Sequence, residues 1–191
     1  ILSTGMADIE IVSNAINAVK EGGSSDIALL HCVSCYPAYD EELNLSVIKT
    51  LKEKFNLITG FSDHSEGVIA AIVSYMSGAR IIEKHVTFKK TDEGADHAMS
   101  MEMEDFTGMI KELRRIKKMV GDGMKKPCER EKNIAKSAFR SLYAKRDIKS
   151  GEVFQYNDIL IARPSGVLQP SHLYNIIGKR ATKDIDRKSV V

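Results

Sequence analysis

The sequence predicts an α/β fold: a parallel sheet with helices outside it, equal to half of an eight-fold β/α barrel, followed by a small, mostly β unit. Three observations lead there. Strand-like and helix-like segments alternate four times over the first 120 residues, the pattern of repeated β/α units. After Lys125-Lys126-Pro127 that alternation stops, and short strand-like runs separated by turn residues replace it. The charge changes sign at the same place: residues 1–124 carry 13 Lys/Arg against 19 Asp/Glu, a net of −6, whereas residues 125–191 carry 15 against 7, a net of +8. A closed eight-fold barrel takes roughly 250 residues, more than the 191 of this chain. The chain also starts with Ile, in what reads as a strand, so the expectation is a piece of a longer protein.

Ile1 to Thr4 reads as a strand running into Gly5. Ile9, Val12, Ala15, Ile16 and Val19 recur at helical spacing, and Gly22-Gly23 ends that helix. Ile27 to Tyr36 is the second strand. Leu43 to Phe55 is a helix with Leu45, Ile48, Leu51 and Phe55 on one face. Leu57 to Ser62 is the third strand. Ser65 is placed as the N-cap of the next helix, with Glu66 in its first turn and Gly78 just past its end. Ala79 to His85 is the fourth strand, and Phe106 to Val120 a long helix stopped by Gly121 and Gly123. No G-x-G-x-x-G opens any helix, so a dinucleotide-binding fold has no support. Cys128 to Asn133 is polar and reads as linker. Beyond it, Ser141 to Ala144, Val153-Phe154 and Ile159 to Ala162 are short strands. A unit of this size buries little core of its own and is expected to lean on a partner surface. The predicted boundaries are 1–121 for the β/α unit, 122–133 for the linker and 134–191 for the β unit.

Composition narrows the classes. With 28% charged and 43% hydrophobic residues the chain is an ordinary soluble globular protein rather than a disordered one. No run of about 18 apolar residues is present to span a membrane, and no basic-plus-apolar leader opens the sequence. The basic charges of the second unit are scattered and lack aromatic interleaving, which argues against nucleic acid. Cys32, Cys35 and Cys128 are few and odd in number, as expected in a reducing cytoplasm. Cys32 and Cys35 form a C-x-x-C, but at a strand end and with no second pair to complete a zinc site, so two unrelated thiols are expected.

Chemistry in such folds gathers at the C-terminal ends of the parallel strands. Here those ends are Ser3-Thr4-Gly5, His31 to Pro37, Ser62-Asp63-His64-Ser65 and Glu83-Lys84-His85. Strand alternation puts Ser62 with His64 on one face and Glu83 with His85 on one face. If both faces point inward, two imidazoles and a carboxylate converge, a set that suits a divalent transition metal whose shell water or substrate completes. The polar loop Asp92 to His97 reads on composition as an acidic surface loop, and it also lies on the side from which a substrate would enter.

These residues resemble a known family. The runs ILSTGM (1–6), LLHCVSCYP (29–37), FSDHSEG (61–67), IIEKHVTF (81–88) and ADHAMSMEMEDF (95–106) are similar to those of the bacterial sialic acid synthases. GDGMKKP (121–127), SLYAKRDIKSGEVF (141–154) and the Arg163-Pro164 dipeptide extend the likeness over the whole chain. The resemblance implies the second half of a TIM-type (β/α)8 barrel followed by an antifreeze-like (SAF, β-clip) domain, in a domain-swapped homodimer in which each small domain caps its partner's barrel. It implies condensation of phosphoenolpyruvate with N-acetylmannosamine, or a related amino sugar, to a nine-carbon sialic acid and phosphate.

Carried over by motif, His64 and His85 would hold Mn2+ or Mg2+, and Glu83 would support them. Ser3, Ser34 and Ser62 would hold the phosphate and carboxylate of phosphoenolpyruvate. Tyr36 and Asp96 would contact the sugar, and Arg163 would reach into the partner's site. Ser34 stands where several members carry Asn, and RPSGVLQP (163–170) departs from the commoner pattern of the capping loop. The lysines and the glutamate that the family's first half supplies lie outside this sequence, so the isolated chain is expected to be inactive. Asp96-His97 resembles the sialic and legionaminic branch more than the pseudaminic one. A different class of function, a non-catalytic carbohydrate-binding or interaction module, is the alternative reading.

Overall fold

A computed structural model describes all residues, 1–191. The chain divides into two compact units, Ile1–Gly123 and Met124–Val191.

The first unit is a four-stranded sheet in the order β1 (Leu2–Ser3), β2 (Ala28–Cys32), β3 (Ile58–Asp63), β4 (Ile82–Lys84), with every neighbouring pair parallel. The helices α1 (Ile9–Glu21), α2 (Val47–Phe55) and α3 (Ile69–Met76) connect successive strands. Asp8 caps α1, its Oδ1 accepting from the amides of Glu10 and Ile11 at 3.0 and 2.9 Å. Asn56, at φ 52°, ends α2 in the left-handed conformation that Asn tolerates. One face of the sheet lies under the helices and is mostly apolar, His31, Thr59 and the Asp63–Lys84 pair excepted. Val12, Ile16, Ile27, Leu29 and Leu51 form one buried cluster there, and Ala38, Leu43, Ile48, Phe61, Ala70 and Ala79 a second. The other face carries Ser3, Leu30, Cys32, Gly60, Ser62 and Glu83 at matching register positions. A pair of short parallel strands, β5 (Val86–Thr87) and β6 (Met101–Glu102), follows, and then α4 (Met103–Val120), which packs Met109 against Ala71 and Met101.

Gly60 is required by close approach. A Cβ there would run into the carbonyl and Cβ of Ile81 and into the Leu30 side chain. Gly60→Ala is therefore expected to cost about 1–3 kcal/mol, the range for overpacking a filled core, read as a lowered denaturation midpoint at unchanged slope.

The second unit pairs β7 (Ser141–Ala144) with β8 (Ile159–Ala162) antiparallel. Isolated bridges Tyr143–Val190, Ile148–Ile185 and Val153–Arg180 tie in the rest of the chain. Arg146 clamps this unit: its Nε and Nη2 donate to the two carboxylate oxygens of Asp158 at 2.8 and 3.2 Å, and its Nη1 donates to Glu152 at 2.7 Å. The hydrogen bond from Arg146 holds the Asp158 carboxyl below the usual range.

Five expectations need correction. The second strand stops at Cys32, and residues beyond it form a loop. Ser65 caps no helix: α3 starts at Ile69, and Ser65 is buried with its hydroxyl donating to Asp63 Oδ1 at 2.7 Å. Residues 129–133 are not linker but part of a helix, α5 (Glu129–Ala138), entered through Cys128, whose amide donates to Glu131 at 2.9 Å. Val153-Phe154 forms a single bridge instead of a strand. The small unit also has a core of its own, Ala144, Ile148, Phe154, Ala181 and Ile185, assembled from residues far apart in sequence.

Candidate active site

The loops after β2 and β3 meet through His64. Its backbone carbonyl accepts the Ala38 amide at 3.0 Å, and its Nδ1 donates to the Val33 carbonyl at 2.8 Å. That bond places the proton on Nδ1 and leaves the Nε2 lone pair free, the tautomer a metal-binding or accepting imidazole needs. The Tyr36 ring lies over His64 at 4.1 Å between centroids, and His85 lies edge-on to His64 at 5.3 Å and to Tyr36 at 5.7 Å. Cys32 Sγ is 3.9 Å from His64 Nδ1 and 3.8 Å from Ser34 Oγ. Ser62 donates its hydroxyl to Glu83 Oε1 at 2.6 Å, joining β3 to β4 at the same end. Asp96 Oδ2 approaches His85 Nδ1 at 3.9 Å, and Ser100 fixes the Asp96 carbonyl by its hydroxyl at 2.6 Å.

The structure thus brings together Ser34, Tyr36, Ser62, His64, Glu83, His85 and Asp96. Ser3 lies on the same sheet face as Ser62 and Glu83, at the end of β1. Gly5, just beyond it, packs so closely on the Ser34 hydroxyl that a Cβ there would collide with Ser34 Oγ. Arg163 belongs to the other unit, where its Nε donates to the Ala138 carbonyl at 2.6 Å. The C-x-x-C is two free thiols, Cys32 buried and Cys35 exposed.

Two functional candidates escaped the sequence reading. Asp63 and Lys84, the middle residues of SDH and EKH, form an ion pair at 2.9 Å with side chains 0% and 4% exposed. The signal was available: alternation sends both to the face opposite Ser62 and Glu83. His31 is the other strand-end imidazole, and it faces away from the site. Its Nε2 bonds the Leu43 carbonyl at 2.7 Å and its ring stacks on Phe61.

Burial holds the His31 pKa below its ordinary value of 6.5, and the Leu43 bond opposes this only in part. Since the folded pKa is the lower one, the unfolded chain takes up the proton first. Stability is complete above pH ~6.5 and falls as the pH drops from there toward the folded pKa. A thermal melt at pH 5 is expected below that at pH 7.5, with the difference reduced in His31→Gln.

Tyr36 is shifted the other way. Removal from water, and after it negative charge at Cys32, Asp96 and Glu83, raises its phenol above 10. It therefore stays a hydrogen-bond donor at neutral pH.

No group of three or more His, Cys, Asp or Glu side chains closes a shell around a divalent cation. The two imidazoles, one oriented through the Val33 carbonyl, fit a cation that takes its remaining ligands from water and substrate oxygen.

Parallel strands with polar tips converging on one end define the class of α/β proteins that carry chemistry at the C-terminal ends of their strands. Within that class the chain belongs to the NeuB family, whose model matches residues 1–125, and residues 139–191 match the SAF domain. The resemblance read from the motifs therefore holds.

The chain is 36% identical to N,N'-diacetyllegionaminic acid synthase of Campylobacter jejuni, over 100% of this chain and 58% of that one. It is 40% identical to pseudaminic acid synthase of Campylobacter jejuni, over 97% of this chain and 54% of that one. The crystal structure of N-acetylneuraminic acid (sialic acid) synthetase from Leptospira borgpetersenii superposes with a TM-score of 0.62 at 37% identity, covering 70% of this chain and 47% of that one. The chain spans little more than half the length of the curated relatives it matches. No helix is long and apolar enough to cross a membrane.

Proposed function

We propose that this chain is the metal-site half and the small domain of a synthase that joins phosphoenolpyruvate to an N-acetylated amino sugar, releasing a nine-carbon sialic-type acid and phosphate. The observation that carries the reading is the convergence of His64 and His85, 5.3 Å apart between ring centroids, in a chain matched by the NeuB family. On this reading β1–β4 are the second half of a (β/α)8 barrel. The remaining length of the relatives supplies the first half, and a swapped dimer carries Arg163 into the partner's site. The three free cysteines suit the cytoplasm. The names of the relatives support the sialic, legionaminic and pseudaminic branches alike.

His64 and His85 would hold Mn2+ or Mg2+, which supplies Lewis-acid polarisation of the sugar aldehyde. The chain's own residues prepare the rest. The methylene carbon of phosphoenolpyruvate forms the new bond to the aldehyde carbon. Water then adds at the former enol carbon, one of its protons going to the new alkoxide, and phosphate leaves with the other by C–O cleavage as the keto group forms. Ser62 must turn its hydroxyl from Glu83 to donate to the phosphate or carboxylate of phosphoenolpyruvate, because the single O–H is already engaged. Tyr36, kept protonated, donates to a sugar oxygen, and Asp96 accepts from a sugar hydroxyl. Glu83 accepts the Ser62 hydroxyl until phosphoenolpyruvate takes that hydrogen bond.

The test is phosphate release by the complete protein, carrying both barrel halves. Turnover is expected only with phosphoenolpyruvate, an amino sugar such as N-acetylmannosamine, and Mn2+ or Mg2+ together, and chelation should abolish it. Undiminished turnover after exhaustive chelation would remove the metal from the reading, and no turnover with any of the three branch substrates would remove the reaction.

A further inference from the structure

The two strands that present His64 and His85 are tied together on their other face. Asp63 and Lys84 are register partners, one residue beyond Ser62 and Glu83, so their side chains leave the opposite side of the sheet. Lys84 Nζ lies 2.9 Å from Asp63 Oδ2, the side chains being 4% and 0% exposed. The same ammonium donates to the Ser65 carbonyl at 2.7 Å. Asp63 Oδ1 accepts from the Ser65 amide at 2.9 Å and from the Ser65 hydroxyl at 2.7 Å. The network therefore grips the residues on both sides of His64 and the residue immediately before His85.

A buried ion pair is a poor device for stability. Its desolvation consumes most of its attraction, and apolar residues of the same volume commonly stabilise as well or better. What this pair specifies is geometry. Its bonds span the turn at 63–65, from which His64 Nδ1 reaches the Val33 carbonyl, and they join β4 to β3 one residue before His85.

We propose that Asp63 and Lys84 are positioning residues that set the approach of the two imidazoles to a shared divalent cation. The cation rests on the reading above; the geometric role does not.

The decisive variant is the double substitution Asp63→Leu with Lys84→Met in the full chain, which replaces the pair by apolar volume. Its melting temperature is expected to fall by a few degrees only, because the lost charges cost little but the buried Ser65 amide and hydroxyl lose their acceptor. Its Mn2+ affinity, by paramagnetic resonance titration, is expected to fall about 10–100-fold, the usual effect of removing support behind a ligand. In metal-free protein, ring nitrogen spectra should show His64 leaving its single Nδ1–H tautomer for a mixture. A double variant with parental Mn2+ affinity and an unchanged His64 ring would overturn the proposal.

Should the parent itself not bind Mn2+, the cation reading fails, and the metal-free ring spectra still decide: a mixture supports the positioning role and an unchanged ring sinks it. Should the double variant not fold, Ser65→Ala, which removes one hydroxyl from the network, takes its place. A shifted His64 tautomer equilibrium then supports the role, and an unchanged one overturns it.

Discussion

Lys84→Met alone is expected to lower the stability of the chain by about 3–5 kcal/mol, the cost of leaving one member of a buried pair without its partner. Methionine conserves most of the volume, so little of the loss comes from a cavity. The loss comes from the Asp63 carboxylate, whose side chain is wholly shielded and which then has only the Ser65 amide and hydroxyl for company. Lys84→Arg, which keeps the charge, should lose much less. Urea denaturation at neutral pH separates the two. A cost under about 1 kcal/mol for Lys84→Met, the scale of an exposed pair, would mean that water reaches the carboxylate.

The second large effect is catalytic. Replacing both His64 and His85 with Ala in the complete protein is expected to slow phosphate release by about 1,000-fold or more. Lewis-acid stabilisation of several kcal/mol is at stake, and each 1.36 kcal/mol is a factor of ten. The fold should survive, because the His85 side chain is 36% exposed and His64 gives up one hydrogen bond, to Val33, worth about 1 kcal/mol. Steady-state rates at saturating phosphoenolpyruvate and Mn2+, beside a melting curve, separate the loss from unfolding. Parental rates in the double variant would strip both imidazoles of their role.

Much of the first unit was legible because its signals are local. Val12 and Ile16 recur at helical spacing, Gly78 closes α3 at φ +107°, and the polar strand tips announce the site. SDH and EKH were legible as a pair of imidazoles with a carboxylate, and the rings do meet.

What escaped depends on partners distant in sequence. Ser65 has the right chemistry for a helix cap, but the Asp63 carboxylate two residues back claims both its amide and its hydroxyl. Helix α5 has no buried residue, so it offers no apolar period to read; its signal was the Glu131 carboxylate returning to the Cys128 amide. The core of the small unit joins Ile148 to Ile185 across a stretch that includes β8, and no short window of sequence contains both. Asp63 and Lys84 meet across two strands, so neither SDH nor EKH taken alone shows the pair.

The pairing of β3 with β4 also limits how such proteins can be recombined. A chimera cut in α3, taking β3 from one parent and β4 from another, inherits the carboxylate and the ammonium from different sources. If either parent has a neutral side chain there, the hybrid carries a lone buried charge behind its histidines, however well its surfaces match. A one-residue deletion in β3 is harsher still: side chains alternate, so it would bring the charge of Asp63 to the face that now presents Ser62. Within this part of the chain, β3 and β4 travel as one cassette.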